Sequence, residues 1–324
     1  MTRREFLVVL AAALTVPGTA LAQRPAGVRI GFLSSATLAS YAPFVEALKA
    51  GLRDLGYVEG RNLTIDYRWA VGKNDQLPGL AAELVRARVD VIVTHGTPGA
   101  LAAKAATTSI PIVVAIVGDV LASGIVKSLA KPEGNITGIT YFLPELMAKR
   151  LELLREAFPH ASRVAVLTNP DNPSTEPVLK AMRVRAESLR TALLPGAARS
   201  PEELGGAFAA AGRNRAAAVV ITDDAMLNAN GAAIAELAAK RALPTVGFAE
   251  LADDGGLMSY GVNRIDFWRR AAYFVDKIAK GVKIADLPVE QPDKFEFVIN
   301  MRTAKALGLK IPQSVRLRAD RVIE

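Results

Sequence analysis

The side chains in this chain that could do chemistry stand at the ends of short, β-branched apolar runs. Ser34 and Ser35 follow the run 28–33. Thr94, His95, Gly96 and Thr97 follow 89–93, with Pro98 placed to open a helix. Asp119 follows 112–117, and Tyr141 follows 136–140. In the second half Asn169 follows 163–168, Asp223 and Asp224 follow 217–222, Phe248 follows 244–247, and Tyr260 ends 257–260. If the runs are parallel strands, their carboxyl ends deliver these residues to one edge, where ligands of open α/β sheets bind. The Gly96-Thr97-Pro98 loop suits an anion: glycine lets backbone approach closely, and free N–H groups at a helix start attract negative charge. A ligand carboxylate, helped by the Ser35 and Thr97 hydroxyls, is its natural guest. The same three residues could also make a plain strand-to-helix turn. Asp119, Asp223 and Asp224 could hold an ammonium group or a hydroxyl, or equally cap a helix. Tyr141, Phe248 and Tyr260 could stack on a ring, or pack in the core or at a hinge.

Other chemistries find no residues. His95 and His160 are the two histidines, too few for a histidine triad on a metal. His160 reads as a surface residue between a helix and a strand. There is no cysteine, which excludes disulfides, thiol catalysis, zinc–thiolate sites and a lipid anchor on cysteine. No nucleophile elbow or phosphate-loop lysine pattern is present. The expectation is a chain with no catalytic residue, no metal and no cofactor.

The elements that must position these residues alternate. Strands at 28–33, 63–68, 89–94, 112–117 and 136–140 are separated by helix-length periodicity at 41–55, 76–87 and 100–107. Pro43 suits the first turn of the first of these helices. A strong helix at 143–158 follows. The alternation then resumes, with strands at 163–168, 191–194, 217–222, 244–247 and 257–260 and helices at 175–189, 201–211 and 231–241. Apolar strands alternating with helices imply parallel sheets covered on both faces. The halves echo each other: 89–93 leads through a helix to Ile110-Pro111-Ile112, and 217–221 leads through a helix to Leu243-Pro244-Thr245. The expected organisation is a first α/β lobe over 27–140, a second over 141–262, and a segment 263–324 that returns to both. In that last segment a helix at 266–280, a strand at 295–300 and a short helix at 303–307 are expected.

Residues 1–22 read as an export leader rather than as fold. Arg3 and Arg4 precede an apolar stretch from Phe6 to Val16, and Ala20-Leu21-Ala22 supplies a cleavage pattern before Gln23. The arginine pair followed by Phe6 and Leu7 favours the twin-arginine route. The remainder suffices for two domains. Net charge is +8, but the basic residues are interspersed with acidic ones and no basic run interleaves with aromatics, so nucleic acid is not the expected partner. Arg183 with Arg185, and Arg316 with Arg318 and Arg321, read as solvated helix faces.

Longer motifs carry a resemblance. They are 51–62 (Gly51-Leu52-Arg53-Asp54-Leu55-Gly56-Tyr57-Val58-Glu59-Gly60-Arg61-Asn62), His95-Gly96-Thr97-Pro98, Gly118-Asp119, 124–138, 286–290, Ile299-Asn300 and 304–309. Together they resemble the tryptophan/tyrosine-type family of ABC transporter substrate-binding proteins, over essentially the whole length after the leader. The resemblance implies a periplasmic-binding-protein type I-like fold: two Rossmann-like lobes joined by a multi-strand hinge near 140–142, near 260–264 and in the tail. It also implies a periplasmic, monomeric binding component of an ABC importer that closes on a small carboxylate-bearing ligand, an amino acid or aromatic acid, and serves a permease and its ATPase. A sensory receptor input and a periplasmic enzyme are the alternatives on the same fold.

Overall fold

A computed structural model describes residues 27–324. The expected leader, its cleavage pattern and its arginine pair lie outside the described residues. The first sheet contains β1 (Val28–Ser34), β2 (Leu63–Trp69), β3 (Val91–Thr94), β4 (Ile112–Val117) and β5 (Ile136–Thr140). Its order is β2-β1-β3-β4-β5, with every pairing parallel. Every residue of β3 and of β4 is buried, as a doubly covered parallel sheet requires.

Between the strands lie α1 (Leu38–Asp54), α2 (Leu77–Arg86) and α3 (Gly96–Ala106). The first helix begins three residues earlier than Pro43 suggests, because Thr37 and Ser40 form a reciprocal capping box. Pro43 therefore sits inside the helix. The interior stripe of α1 includes Leu48 and Leu52, both fully buried. Each such leucine contributes roughly 1.5–3 kcal/mol of apolar transfer free energy.

The second sheet is built from β6 (Arg163–Thr168), β7 (Ala192–Ala197), β8 (Ala218–Ile221), β9 (Thr245–Gly247), β10 (Met258–Gly261), β11 (Glu296–Asn300) and β12 (Arg321–Ile323). Its order is β12-β11-β10-β9-β8-β6-β7, parallel except where β11 runs against β10. The helices α4 (Leu143–Ala157) and α5 (Thr175–Ser188) cover one face; α6 (Leu204–Arg213), α7 (Ala225–Ala229) and α8 (Gly231–Ala239) cover the other. The architecture is α/β with two parallel-dominated sheets, each between helical layers.

The chain crosses between the sheets more than once. After β5 it enters α4 through Tyr141 and Phe142. After β10 it enters α9 (Arg264–Ala279), capped by the Asn263 side chain, and α9 packs on α1 and on the first sheet. Gly51 makes that packing close: a Cβ there would lie 2.5 Å from the Arg269 carbonyl oxygen and 2.8 Å from the Ala272 Cβ. The chain then runs beside β5, where Thr140 N donates to Glu290 O at 2.9 Å and Glu290 N donates to Gly138 O at 2.8 Å. It returns to the second sheet as β11, followed by α10 (Met301–Ala306), α11 (Gln313–Arg316) and β12.

The arginines of this tail do not form one solvated helix face. Arg321 lies in β12 and pairs with Asp253 at 2.6 Å and with Glu296 at 3.2 Å; Arg318 pairs with Glu156. Among the described residues no helix is long and apolar enough to cross a membrane.

Candidate ligand-binding site

The carboxyl ends of the two sheets face each other across a cavity lined from both sides. The empty space between its walls is about 510 Å³, part of it continuous with solvent. The first-sheet side supplies Ser35, Tyr41 and the 95–98 loop. The second-sheet side supplies Asn172, Ser174, Asp223, Asp224 and Asn228. Tyr141 and Arg264, each beside a crossing, line it as well.

On the first side, α3 opens directly on the cavity. His95 occupies its N-cap position without capping it by its side chain, and Gly96 turns the chain at φ +66°, a conformation that favours glycine. The Gly96 and Thr97 amides are among the N–H groups that a helix start leaves without an intrahelical partner. Pro98 has no N–H to add. The Ser35 hydroxyl, 7% exposed at residue level, makes no hydrogen bond to the described residues.

His95 is held from both ring nitrogens. Nδ1 lies 2.9 Å from the Tyr41 hydroxyl and Nε2 lies 2.8 Å from Ser34 Oγ. The Tyr41 ring stacks on it at 4.2 Å and Trp268 meets it edge-on at 5.5 Å. Burial, and then the nearby Arg264 charge, lower its pKa to about 3. His95 is therefore a neutral wall rather than a charged ligand contact. Burial also pushes the Tyr41 and Tyr141 phenols well up, so both stay protonated donors.

On the second side, two neighbouring carboxylates differ in kind. Asp224 caps α7, accepting from Met226 N at 2.9 Å and Leu227 N at 3.3 Å. It also accepts from the Asn172 and Asn169 amides at 2.9 and 3.3 Å. Burial raises its pKa against the pull of those bonds. Asp223 has a counter-charge but no aligned donor. Its Oδ2 lies 2.6 Å from Arg150 Nη1, yet the angle makes no hydrogen bond and Oδ2 is buried without one. Arg264 is forked onto Glu250 at 2.9 and 2.8 Å, and its guanidinium lies 4.6 Å from the centre of the Phe44 ring. Asn228, its amide oriented by its neighbours, accepts from Arg264 Nη1 at 3.0 Å.

The two sides touch directly. Thr97 Oγ1 and Ser174 Oγ share a hydrogen bond at 2.6 Å across the cleft.

Comparison with known proteins places this geometry. The family model described as "ABC transporter substrate binding protein" matches residues 36–323. The chain belongs to the ABC transporter substrate-binding family. It is 26% identical to a tyrosine-binding protein of Clostridioides difficile (strain R20291) over 285 residues, 86% of this chain and 80% of that one. A conserved domain protein of Vibrio cholerae superposes with a TM-score of 0.84 at 25% identity, covering 91% of this chain and 99% of that one. An ABC domain from Streptococcus pneumonia, solved with L-Trp, superposes at 0.81 with 24% identity, covering 91% and 100%. The fold is that of type I periplasmic binding proteins, and the protein is the solute-binding component of an ABC transporter.

Of the residues nominated from sequence, this substrate-binding protein brings Ser35, His95, Gly96, Thr97, Tyr141, Asp223 and Asp224 to the cavity wall. Six stand elsewhere. Ser34 lies behind His95 and also accepts from Ala36 N. Thr94 Oγ1 is turned back onto the Leu33 carbonyl. Asn169 supports Asp224 from behind. Asp119 caps its own turn, accepting from Leu121 N and Ala122 N, beside a separate recess. Phe248 is fully buried in the second lobe's core. Tyr260 stacks on Phe295 at 5.8 Å and meets Phe297 edge-on, which takes its ring away from the cavity. Local partners decide four of these cases: Ser34, Thr94 and Asp119 bond backbone groups near their own strand ends and Tyr260 finds aromatic rings, whereas Asn169 is drawn to Asp224 and Phe248 into the core.

Sequence reasoning passed over Tyr41, Asn172, Ser174, Asn228, Arg264 and the underlying Arg150. Asn172 and Ser174 belong to the same strand-end loop as Asn169, so extending that loop by five residues would have reached them. Arg264 follows β10 by three residues. Arg150 had a different signal: a charge within the apolar stripe that includes Leu146, Met147, Leu151 and Leu154.

Proposed function

We propose that this protein is the periplasmic component of an importer and closes on a zwitterionic amino acid. The ligand's carboxylate meets the Gly96 and Thr97 amides and the Ser35 hydroxyl; its ammonium group meets Asp223. The observation that carries this reading is the Asp223 carboxylate: it lines the cavity, and neither of its oxygens accepts a hydrogen bond from the described residues. Oδ2 is turned onto Arg150, so Oδ1 is the oxygen left for a ligand, and a charge-assisted hydrogen bond there contributes about 1.5–3 kcal/mol. Charge balance agrees. Asp223 already faces Arg150 and Arg264 already holds Glu250, so a ligand with both signs leaves the site better balanced than a bare anion.

In this reading 27–140 and 141–262 are the two lobes, with 263–324 distributed between them. The carboxylate site lies on one lobe and the ammonium site on the other. Both contacts exist only when the lobes are together, so the ligand shifts the population toward closure. A ligand gripped by one lobe alone would not shift it. The closed form is then the shape offered to a permease and its ATPase. The relatives solved or named with tyrosine and tryptophan support an amino-acid ligand.

A thermal-shift screen of the refolded, ligand-stripped protein against amino acids, aromatic acids, sugars and nucleosides tests the reading. A ligand at 100 times its Kd stabilises the native state by about 2.7 kcal/mol. Amino-acid hits with weaker or no shifts from the matching des-amino acids are expected. Hits confined to sugars or nucleosides would refute the assignment of the pocket.

A further inference from the structure

Beneath the second-lobe wall of the cavity lies a cation that touches no solvent. Arg150 projects from the apolar stripe of α4 and is 0% exposed. Taking an arginine out of water costs several kcal/mol unless its charge and donors are met, and a leucine would suit this stripe better. Its partners are specific. Nε donates to the Tyr260 carbonyl at 2.7 Å and Nη1 donates to the Ile221 carbonyl at 3.1 Å. These carbonyls belong to β10 and β8, so one guanidinium ties two strand ends. The same Nη1 lies 2.6 Å from Asp223 Oδ2, and Nη2 is buried with no acceptor at all.

We propose that Arg150 is the positioning residue of the ammonium site: it never touches the ligand, but holds the Asp223 carboxylate aimed into the cavity, and so sets the preference for ligands bearing an ammonium group. This rests on the reading of Asp223 given above. Asp223 sits two residues past β8, and no hydrogen bond from the described residues fixes its carboxylate. The opposite charge behind it does so instead. The other groups facing it are Arg264 on α9, engaged with Glu250, and the Tyr141 phenol at the crossing. Neither replaces Arg150: Arg264 already holds a carboxylate, and Tyr141 carries no charge. Without Arg150 nothing among the described residues fixes the direction of the Asp223 carboxylate, and a carboxylate free to turn away loses its contact with the ammonium group.

The test is calorimetric titration of the mature protein with the proteinogenic L-amino acids and their des-amino acids. The variants are Arg150→Gln, which removes the charge but keeps donors for the carbonyls, and Arg150→Lys, which keeps the charge. Wild type is expected to favour an amino acid over its des-amino acid by about tenfold or more. Arg150→Gln should bring that ratio near unity with little change in des-amino acid affinity. Arg150→Lys should keep most of the preference. Should Arg150→Gln fail to fold, Arg150→Lys decides the matter by keeping or losing the ratio. Equal weakening of both ligands in the variants, or a full preference in Arg150→Gln, overturns the assignment. If wild type binds no amino acid, or binds the two ligand types alike, the ammonium reading of Asp223 itself fails and this inference with it.

Discussion

At the scale of residues, Asp223 and Asp224 are adjacent, share a residue type, and do different work. Asp224 spends its oxygens on α7 and on two asparagines; Asp223 turns one oxygen onto Arg150 and accepts no hydrogen bond from the described residues. Asp223→Asn should therefore weaken amino-acid binding by roughly tenfold or more in a calorimetric titration. Asp224→Ala should instead lower stability by about 1–2 kcal/mol through the lost cap, read from urea denaturation. Sequence could nominate both residues but could not divide the roles, because the division depends on Asn172 and Arg150, far away in the chain. His95 makes a pH prediction. Its folded pKa, about 3, lies below the ordinary 6.5, so as pH falls the unfolded chain takes up this proton first. Its contribution is intact above about 6.5 and is lost toward 3, by about 1.4 kcal/mol per pH unit. His95→Gln should be less stable at neutral pH, yet lose less stability than wild type on acidification, as denaturation midpoints at several pH values would show.

At the scale of elements, most helices and strands were legible because apolar periodicity reports which face is buried. What periodicity missed were short pieces held by tertiary contact. The helix α7 has five residues and depends on the Asp224 cap. The strand β12 is mostly exposed and is held by pairing with β11. The start of α1 turned on a side-chain cap rather than on proline. The α1–α9 contact gives a firm prediction. Gly51→Ala places a methyl group against the backbone of α9, so it should destabilise by about 1–3 kcal/mol in guanidinium denaturation. Across the cleft, Ser174→Ala removes the hydrogen bond to Thr97. A net loss of about 0.5–1.5 kcal/mol in the closed form alone should weaken ligand binding by roughly twofold to tenfold. The isolated open form should be as stable as wild type.

At the scale of the molecule, the two-sheet architecture was readable from the repeated order of elements, with the family resemblance adding the hinge. The tail was the less legible part. Its segments alternate between the sheets, α9 on the first and β11 and β12 on the second, and such a division follows from packing partners rather than from local pattern. This routing ties both lobes to the hinge, so closing motion is concentrated at the crossings beside Tyr141 and Arg264. On the proposed reading of the site, a ligand acts by bridging. The measurement that tests this most directly is titration of the wild-type protein with one amino acid found by the thermal-shift screen, with its des-amino acid, and with its carboxamide. Each analogue removes one of the two charged contacts. If the two lobes share the ligand as described, each loss should weaken binding by about tenfold or more. Undiminished affinity for either analogue would contradict the bridge between Asp223 and the start of α3.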